Sequence, residues 1–405
     1  RAPKTTPGAR AARQRIEQLE AIGYASGTTE AGGASGVTRF ERGGAWPGVN
    51  LLVSAHDAEA LLLDMHGEVL HRWRMRFEDA FPGHRRSDQG HHFRKVWLLE
   101  DGGLLVVFEG LGVCRIDVDS NLVWAAANGA HHDVRAVGDR AHVLTRAIVT
   151  TADESDGLPI FEDAVSVLDL ATGEELRRIS ILRAFRDSPF AYLYIEGASA
   201  YGDLLHTNSL EVLDGSAAEV DPALREGAWL VSVSVHDVVA VIDPDTERFG
   251  WAHVARFAKQ HDARILDGRT LLLVDNYAPG GGSRVVEYDL VTRDVVWSYG
   301  GNPKEPFDTP CCGTAQRLPN GKTLVSETEL GREIEVKRSG RLVWEWVNPQ
   351  RAGGDGEWIA RVFEMARVPR SFVAGWLDAR GAGEESAASE QDDASEGDDA
   401  SPRGR

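Results

Sequence analysis

The chain is 405 residues long, with 44 Lys and Arg against 63 Asp and Glu, a formal net charge of −19. Such acidity argues against nucleic acid or an anionic membrane as a partner bound through bulk charge. No apolar run approaches the roughly 18 residues a membrane-spanning helix needs. The 42% hydrophobic content and 11 Trp indicate a packed core, and three Cys are too few for a disulfide framework.

Residues 1–15 carry five basic groups and no acidic one. The stretch from Ala11 to Ala21 places Ile16 and Leu19 on one face of a short helix. From Gly23 to Gly36 the composition turns Gly-rich and reads as a linker. Residues 1–47 are therefore expected to form a basic stub, a short helix and a linker. A basic stub of this kind fits a stalk beside a removed membrane anchor, and hence an extracytoplasmic, periplasmic location.

Between Gly48 and Pro349 one pattern recurs six times: a polar or His-containing start, a β-rich run, a Gly turn, and further short strands, the last often closing on Trp. One copy runs Phe93 to Leu99, turns at Asp101-Gly102-Gly103, and continues through Leu104–Phe108 and Val113–Asp117 to Trp124. Others close on Trp297 and Trp344, and the first is partial, around Leu61–Asp64 and Trp73. Where copies follow directly, the closing Trp residues are 46 to 51 positions apart. Four short strands at that period predict an all-β, six-bladed β-propeller, with the Trp residues packed between blades. The predicted propeller spans 48–376, with a C-terminal extension packed on its outside.

The chemistry-bearing side chains recur at the start of the repeat. They are His91-His92, His131-His132-Asp133, His206-Thr207-Asn208, His261-Asp262 and Cys311-Cys312-Gly313-Thr314. The innermost strand of a propeller blade begins near the central channel, so matched positions should converge on one axial pocket. His56, His66, His142 and His253 fall outside this phase and read as structural.

Several of these segments resemble the bacterial arylsulfate sulfotransferase family. The resemblance rests on His206-Thr207-Asn208-Ser209, Gln260-His261-Asp262-Ala263, Ser283-Arg284-Val285, Gly313 through Gly321, Val343 through Pro349 and Arg367-Val368-Pro369. It implies a periplasmic six-bladed propeller that moves a sulfuryl group from an aryl sulfate to a phenol, through a sulfated histidine, without a phosphoadenosyl donor or other cofactor. His261 matches the nucleophile of that family; His132, His206 and Asn208 match its sulfate-holding residues, and Thr314 matches more loosely. Two positions depart from it. Ser234 stands where relatives carry Arg, which implies a missing cation, and Cys311 stands where relatives often have His.

The same residues leave other readings open. His92, His131, Cys311 and Cys312, with the other imidazoles, would suit a copper, iron or zinc site, and the adjacent thiols could close as a vicinal disulfide. A propeller that binds without catalysing is the third reading. The chain ends in an acidic tail, set at 377–405. Residues 381–405 hold eight acidic and two basic groups and no large apolar side chain, a composition that predicts disorder.

Overall fold

A computed structural model describes residues 7–20, 25–84, 92–151, 157–199 and 201–380. His91 and the acidic run 381–405 lie outside the described residues. Strand and turn chemistry alternate along the chain as the repeat requires; the strands pair into six antiparallel sheets of four or five strands, the blades of a propeller, and two further two-stranded ribbons at residues 301–306 and 351–359.

From the axis outward, blade 2 is Lys95–Leu98, Leu104–Phe108, Gly112–Ile116 and Leu122–Ala126. Blade 3 is Ala130–Val137, Arg140–Val149, Ile160–Asp169 and Glu175–Ser180. Blade 4 is Thr207–Val212, Trp229–Val233, Val238–Asp243 and Arg248–His253. Blade 5 is His261–Leu266, Thr270–Asp275, Arg284–Asp289 and Val295–Tyr299. Blade 6 is Ala315–Arg317, Thr323–Glu327, Arg332–Val336 and Leu342–Val347.

Burial explains the sequence of each strand. Leu104–Phe108 lies between two neighbouring blades and is buried at every position, which is why it is apolar throughout rather than alternating. The outermost strand Leu122–Ala126 buries Trp124 alone. That Trp reaches across to the next blade, where its Nε1 donates to Leu170 O at 2.9 Å. Trp73, Trp297 and Trp344 repeat the contact on Gly102 O, Arg338 O and Met65 O, at 2.9 to 3.0 Å. The closing Trp residues are inter-blade staples, as expected from their period.

Blade 1 departs from expectation. Its inner strand is not supplied by the sequence before Val49 but by Val362–Val368, which pairs antiparallel with Val49–Ser54. Glu59–Leu63 and Val69–Arg74 complete the sheet. The C-terminal extension is therefore not simply packed outside; its strand closes the ring, and only the helix at 370–380 lies against the exterior, with Trp376 edge-on to Trp73. Residues 377–380 belong to that helix rather than to the acidic tail. Arg367 locks the closure: fully buried, it pairs with Glu335 of blade 6, donates to Asn50 Oδ1 at 2.7 Å and lies over Trp344.

The segment expected to be a linker is also corrected. A helix spans Pro7–Glu20, and from residue 26 the chain is tied to the body. Arg361 N donates to Ser26 O at 3.0 Å, Ile359 N to Thr29 O at 2.9 Å and Ala31 N to Glu357 O at 3.0 Å. Gly36–Phe40 then adds a fifth, outermost strand to blade 6. Glycine-rich composition signalled the turns but not the pairing partners, which lie more than 300 residues away. No helix among the described residues is long and apolar enough to cross a membrane.

Candidate active site

The inner strands do not begin straight. His132, His206, Asp262 and Cys312, at the starts of blades 3 to 6, all take left-handed backbone conformations, with φ between +47° and +58°. Non-glycine residues avoid this region and strain stored there clusters at functional sites. The strand registers break beside three of these residues, between Val143 and Thr145, Thr207 and Ser209, and His261 and Arg264. Such bulges re-aim side chains; here they turn the first residues of blades 3, 4 and 5 towards the axis.

Two cavities meet there. A small inner pocket is lined by Arg94, Lys95, His132, Asn208, His261, Cys312 and Thr314, among others. A larger one of about 820 Å³ is lined by Asp203, His206, Ser234, Lys259, His261 and Cys311, with Tyr201 and Tyr277 also in its wall. His261 is common to both. Gly313 closes the inner pocket at φ +86°, where a Cβ would press on Val274 at 3.2 Å and the Ser326 carbonyl at 3.3 Å. The sequence-predicted residues His132, His206, Asn208, His261 and Thr314 therefore do gather at one axial locus, divided between two chambers.

His261 is held in one tautomer. Its Nδ1–H donates to Lys259 O at 2.9 Å and Asn276 Oδ1 at 2.8 Å. Asn276 cannot turn over, because its amide nitrogen donates to Thr309 O at 2.5 Å and Cys312 O at 2.9 Å. Nε2 is buried and has no hydrogen-bond partner among the described residues. Burial, with His206 and Arg94 nearby, drives the imidazole pKa down to about 3, although the Asn276 bond opposes this. The ring is thus neutral, with its lone pair on Nε2.

His206 is its electrostatic opposite. Burial alone would lower its pKa, but the Asp203 carboxylate, 2.6 Å from Nδ1, outweighs that and raises it, with Asp163 adding to the effect and Arg146 opposing it. Asp203 itself is held below its usual range by His206. His132 packs edge-on against His206, with ring centroids 5.0 Å apart. It is neutral by burial, as is His131.

Two expected residues stand apart. His92 stacks on Phe363 of the closing strand, ring centroids 5.0 Å apart, and does not line either chamber. Arg94, two residues on, takes its place, in the same phase as Asn208 after His206 and Thr314 after Cys312. His131 lies behind His132, with Nδ1 atoms 2.8 Å apart. Arg264, below the site, joins a charged layer with Lys95, Arg135, Asp133 and Asp262; its Nη2 is 2.6 Å from Asp262 and 3.0 Å from Asp133.

Among the described residues the expected mixed His/Cys ligand set is not gathered. The ligand atoms that gather within 4.8 Å of one another belong to Glu109, His131 and His132, without a thiol. Glu109 also faces Arg94 at 3.8 Å and Arg146 at 3.5 Å, so its charge already has cationic partners. Cys311 and Cys312 are free thiols with Sγ atoms 3.2 Å apart, one facing each chamber. The hydrogen bond between them holds the Cys312 thiol low and the Cys311 thiol high. Copper, iron or zinc has no four-donor site of the expected composition among the described residues.

Asn276, Asp203, Lys259 and Arg94 were not singled out in the sequence. Repeat phase would have found Arg94. The others lie on strand ends and loops outside that phase.

Comparisons with known proteins bear on the fold and the family. Among solved structures, a protein of unknown function from Bacteroides caccae is similar over 80% of this chain and 99% of its own, at 13% identity and a TM-score of 0.50. The WD40 β-propeller domain of Doa1 is similar over 81% of this chain and 87% of its own, at 12% identity and a TM-score of 0.44. At 13% identity the Bacteroides caccae likeness speaks to fold alone. No curated protein matches the sequence. A family model described as arylsulfotransferase (ASST) matches residues 95–349, from the inner strand of blade 2 to the end of blade 6. With more than half of its length matched, this chain is a member of the arylsulfotransferase family.

Proposed function

We propose that the protein transfers a sulfuryl group from an aryl sulfate to a phenol through an N-sulfated His261. The observation that carries this reading is the imidazole of His261. It is neutral, fixed through Nδ1 by Lys259 O and Asn276, and presents an unpartnered Nε2 lone pair where two chambers meet. A covalent intermediate splits one difficult transfer into two easier ones.

In the first half-reaction the Nε2 lone pair forms an N–S bond as the S–O bond to the aryl group breaks. The departing phenolate takes a proton from His206, whose imidazolium is stabilised by Asp203. In the second, an acceptor phenol returns its proton to His206 as its oxygen attacks sulfur and the N–S bond breaks. His132, Asn208, Thr314 and Arg94 surround the inner pocket and supply polar groups to the sulfuryl oxygens. The larger chamber, with Tyr201 and Tyr277 in its wall, has room for the aromatic portion. An extracytoplasmic, anchored setting belongs to the same reading, supported by the basic stub at residues 1–15.

The test is direct. Protein mixed with a chromogenic aryl sulfate and quenched during turnover should carry one sulfuryl group on the His261 peptide by mass spectrometry, with ping-pong kinetics. Turnover without an adduct, or an adduct elsewhere, would overturn the reading.

His206 gives this chemistry a pH signature. Because Asp203 raises its folded-state pKa, the imidazolium persists above the ordinary histidine value of about 6.5. Its contribution to stability is complete below the unfolded value and is lost as pH rises through the raised one. Transfer from aryl sulfates with poor leaving groups should fall over that same upper range. Asp203→Asn should move the falling limb to lower pH and cut neutral-pH turnover by about 10²-fold. A pH–rate profile of the two proteins with an alkyl-substituted aryl sulfate measures both effects; an unmoved limb would assign the proton transfer elsewhere.

A further inference from the structure

We infer that Lys259 supplies the cation that holds the transferring sulfuryl group from the side of the larger chamber, doing by a lysine what Ser234 cannot do. The inference rests on the sulfuryl-transfer reading above.

The position of Lys259 is built, not incidental. Its backbone is left-handed, at φ +54°, a conformation uncommon for a non-glycine residue. Asp237 Oδ1 accepts its N–H at 2.8 Å, and its carbonyl accepts the Nδ1–H of His261 at 2.9 Å. One residue thus fixes the nucleophile through its main chain and sends its side chain into the chamber that nucleophile faces. The ammonium lies 3.4 Å from the carbonyl oxygen of Ser234. Ser234 is buried and its hydroxyl donates to His206 O at 3.1 Å, so Ser234 links the Lys259 side chain to the backbone of His206.

The other cations lie on the side of the inner pocket. Lys95 is clamped between Glu364 and Asp133 in the layer beneath. Arg94 faces Glu109 at 3.8 Å. Among the described residues no carboxylate lies within ion-pairing distance of Lys259, and an ammonium has three donors, of which Ser234 O takes one. Two remain for sulfuryl oxygens, whose charge a fixed cation stabilises best. A further cation introduced at position 234 would meet this ammonium. Ser234→Arg should therefore not by itself accelerate the native protein, contrary to what a missing cation implies.

Four proteins test this: wild type, Lys259→Gln, Ser234→Arg and the double variant. The readouts are the single-turnover rate of phenol release and, separately, the affinity for inorganic sulfate by calorimetry at two salt concentrations. Lys259→Gln should slow phenol release about 10- to 100-fold, weaken sulfate binding and flatten its salt dependence. Ser234→Arg should raise the rate in the Lys259→Gln background but not in wild type, where the new guanidinium would meet the Lys259 ammonium. A rate and sulfate affinity for Lys259→Gln equal to those of wild type would overturn the assignment. So would equal effects of Ser234→Arg in both backgrounds. If Ser234→Arg does not fold, the sulfate-binding comparison of Lys259→Gln with wild type decides alone. A wild type without a His261 adduct would refute the transfer chemistry, and the sulfate titration would still judge the cation.

Discussion

His261→Asn should abolish the covalent adduct and reduce turnover by about 10⁴-fold or more, with the fold intact. Asparagine keeps a polar group near Lys259 O and Asn276 but has no lone pair equivalent to Nε2. The bond to sulfur then has nothing to form with, and no neighbouring imidazole is placed to replace it. His132 has its Nδ1 directed at His131, and His206 is paired with Asp203, which raises its pKa and favours the imidazolium, so neither is placed as His261 is. Stability should change little, because the residue that anchors this corner is Asn276, which keeps its bonds to Thr309 O and Cys312 O. Quenched-flow mass spectrometry and circular dichroism on the same preparation separate lost chemistry from lost fold. An adduct that persists in His261→Asn would remove this residue from the mechanism.

A chain ending at Arg361 should fail to fold into a stable monomer, whereas one ending at Arg380 should melt like the full chain. The first truncation removes the inner strand of blade 1. Val362, Phe363 and Met365 are buried to within 2% of exposure, and each contributes about 1.5–3 kcal/mol. Loss of Arg367 strands Glu335 as a buried carboxylate, a penalty of about 3–5 kcal/mol. The sum rivals the whole stability of a typical domain, about 5–15 kcal/mol. It also leaves Val49–Ser54 as an exposed apolar edge, an aggregation site. The second truncation deletes only the acidic run, which has no large apolar group to bury. Thermal melts with light scattering distinguish the outcomes. A soluble, cooperative chain 1–361 would show that the ring does not depend on its closing strand.

That closing strand marks where sequence reading stopped. The blade repeat is legible because its signals are local: a Gly turn, an alternating run, a Trp at a fixed distance. Ring closure is not local. Val362–Val368 pairs with Val49–Ser54 and Gly36–Phe40 with Leu342–Val347, each across more than 300 residues. Neither segment carries any mark of its partner. The site divides in the same way. His132, His206 and His261 could be read from repeat phase, because each blade places its first residues alike. His92 shares the phase but is captured by Phe363, which arrives on the strand the repeat did not predict. Asn276 and Asp203 act by hydrogen bonds to phased residues while lying outside the phase, so their roles emerge only from geometry.

The four left-handed residues at 132, 206, 262 and 312 form a set of addresses. Each is specified by backbone shape, and the side chain at each address differs: two imidazoles, a carboxylate and a thiol. The scaffold therefore separates where a functional group is delivered from what that group is. Because the left-handed backbone does the aiming and the inter-blade Trp contacts carry the packing, substitutions at these addresses can vary the chemistry of the axis one blade at a time. A duplicated blade starts with its delivery geometry already in place, and new reactivity can arise on this ring by exchange of single residues, without rebuilding the sheet beneath them.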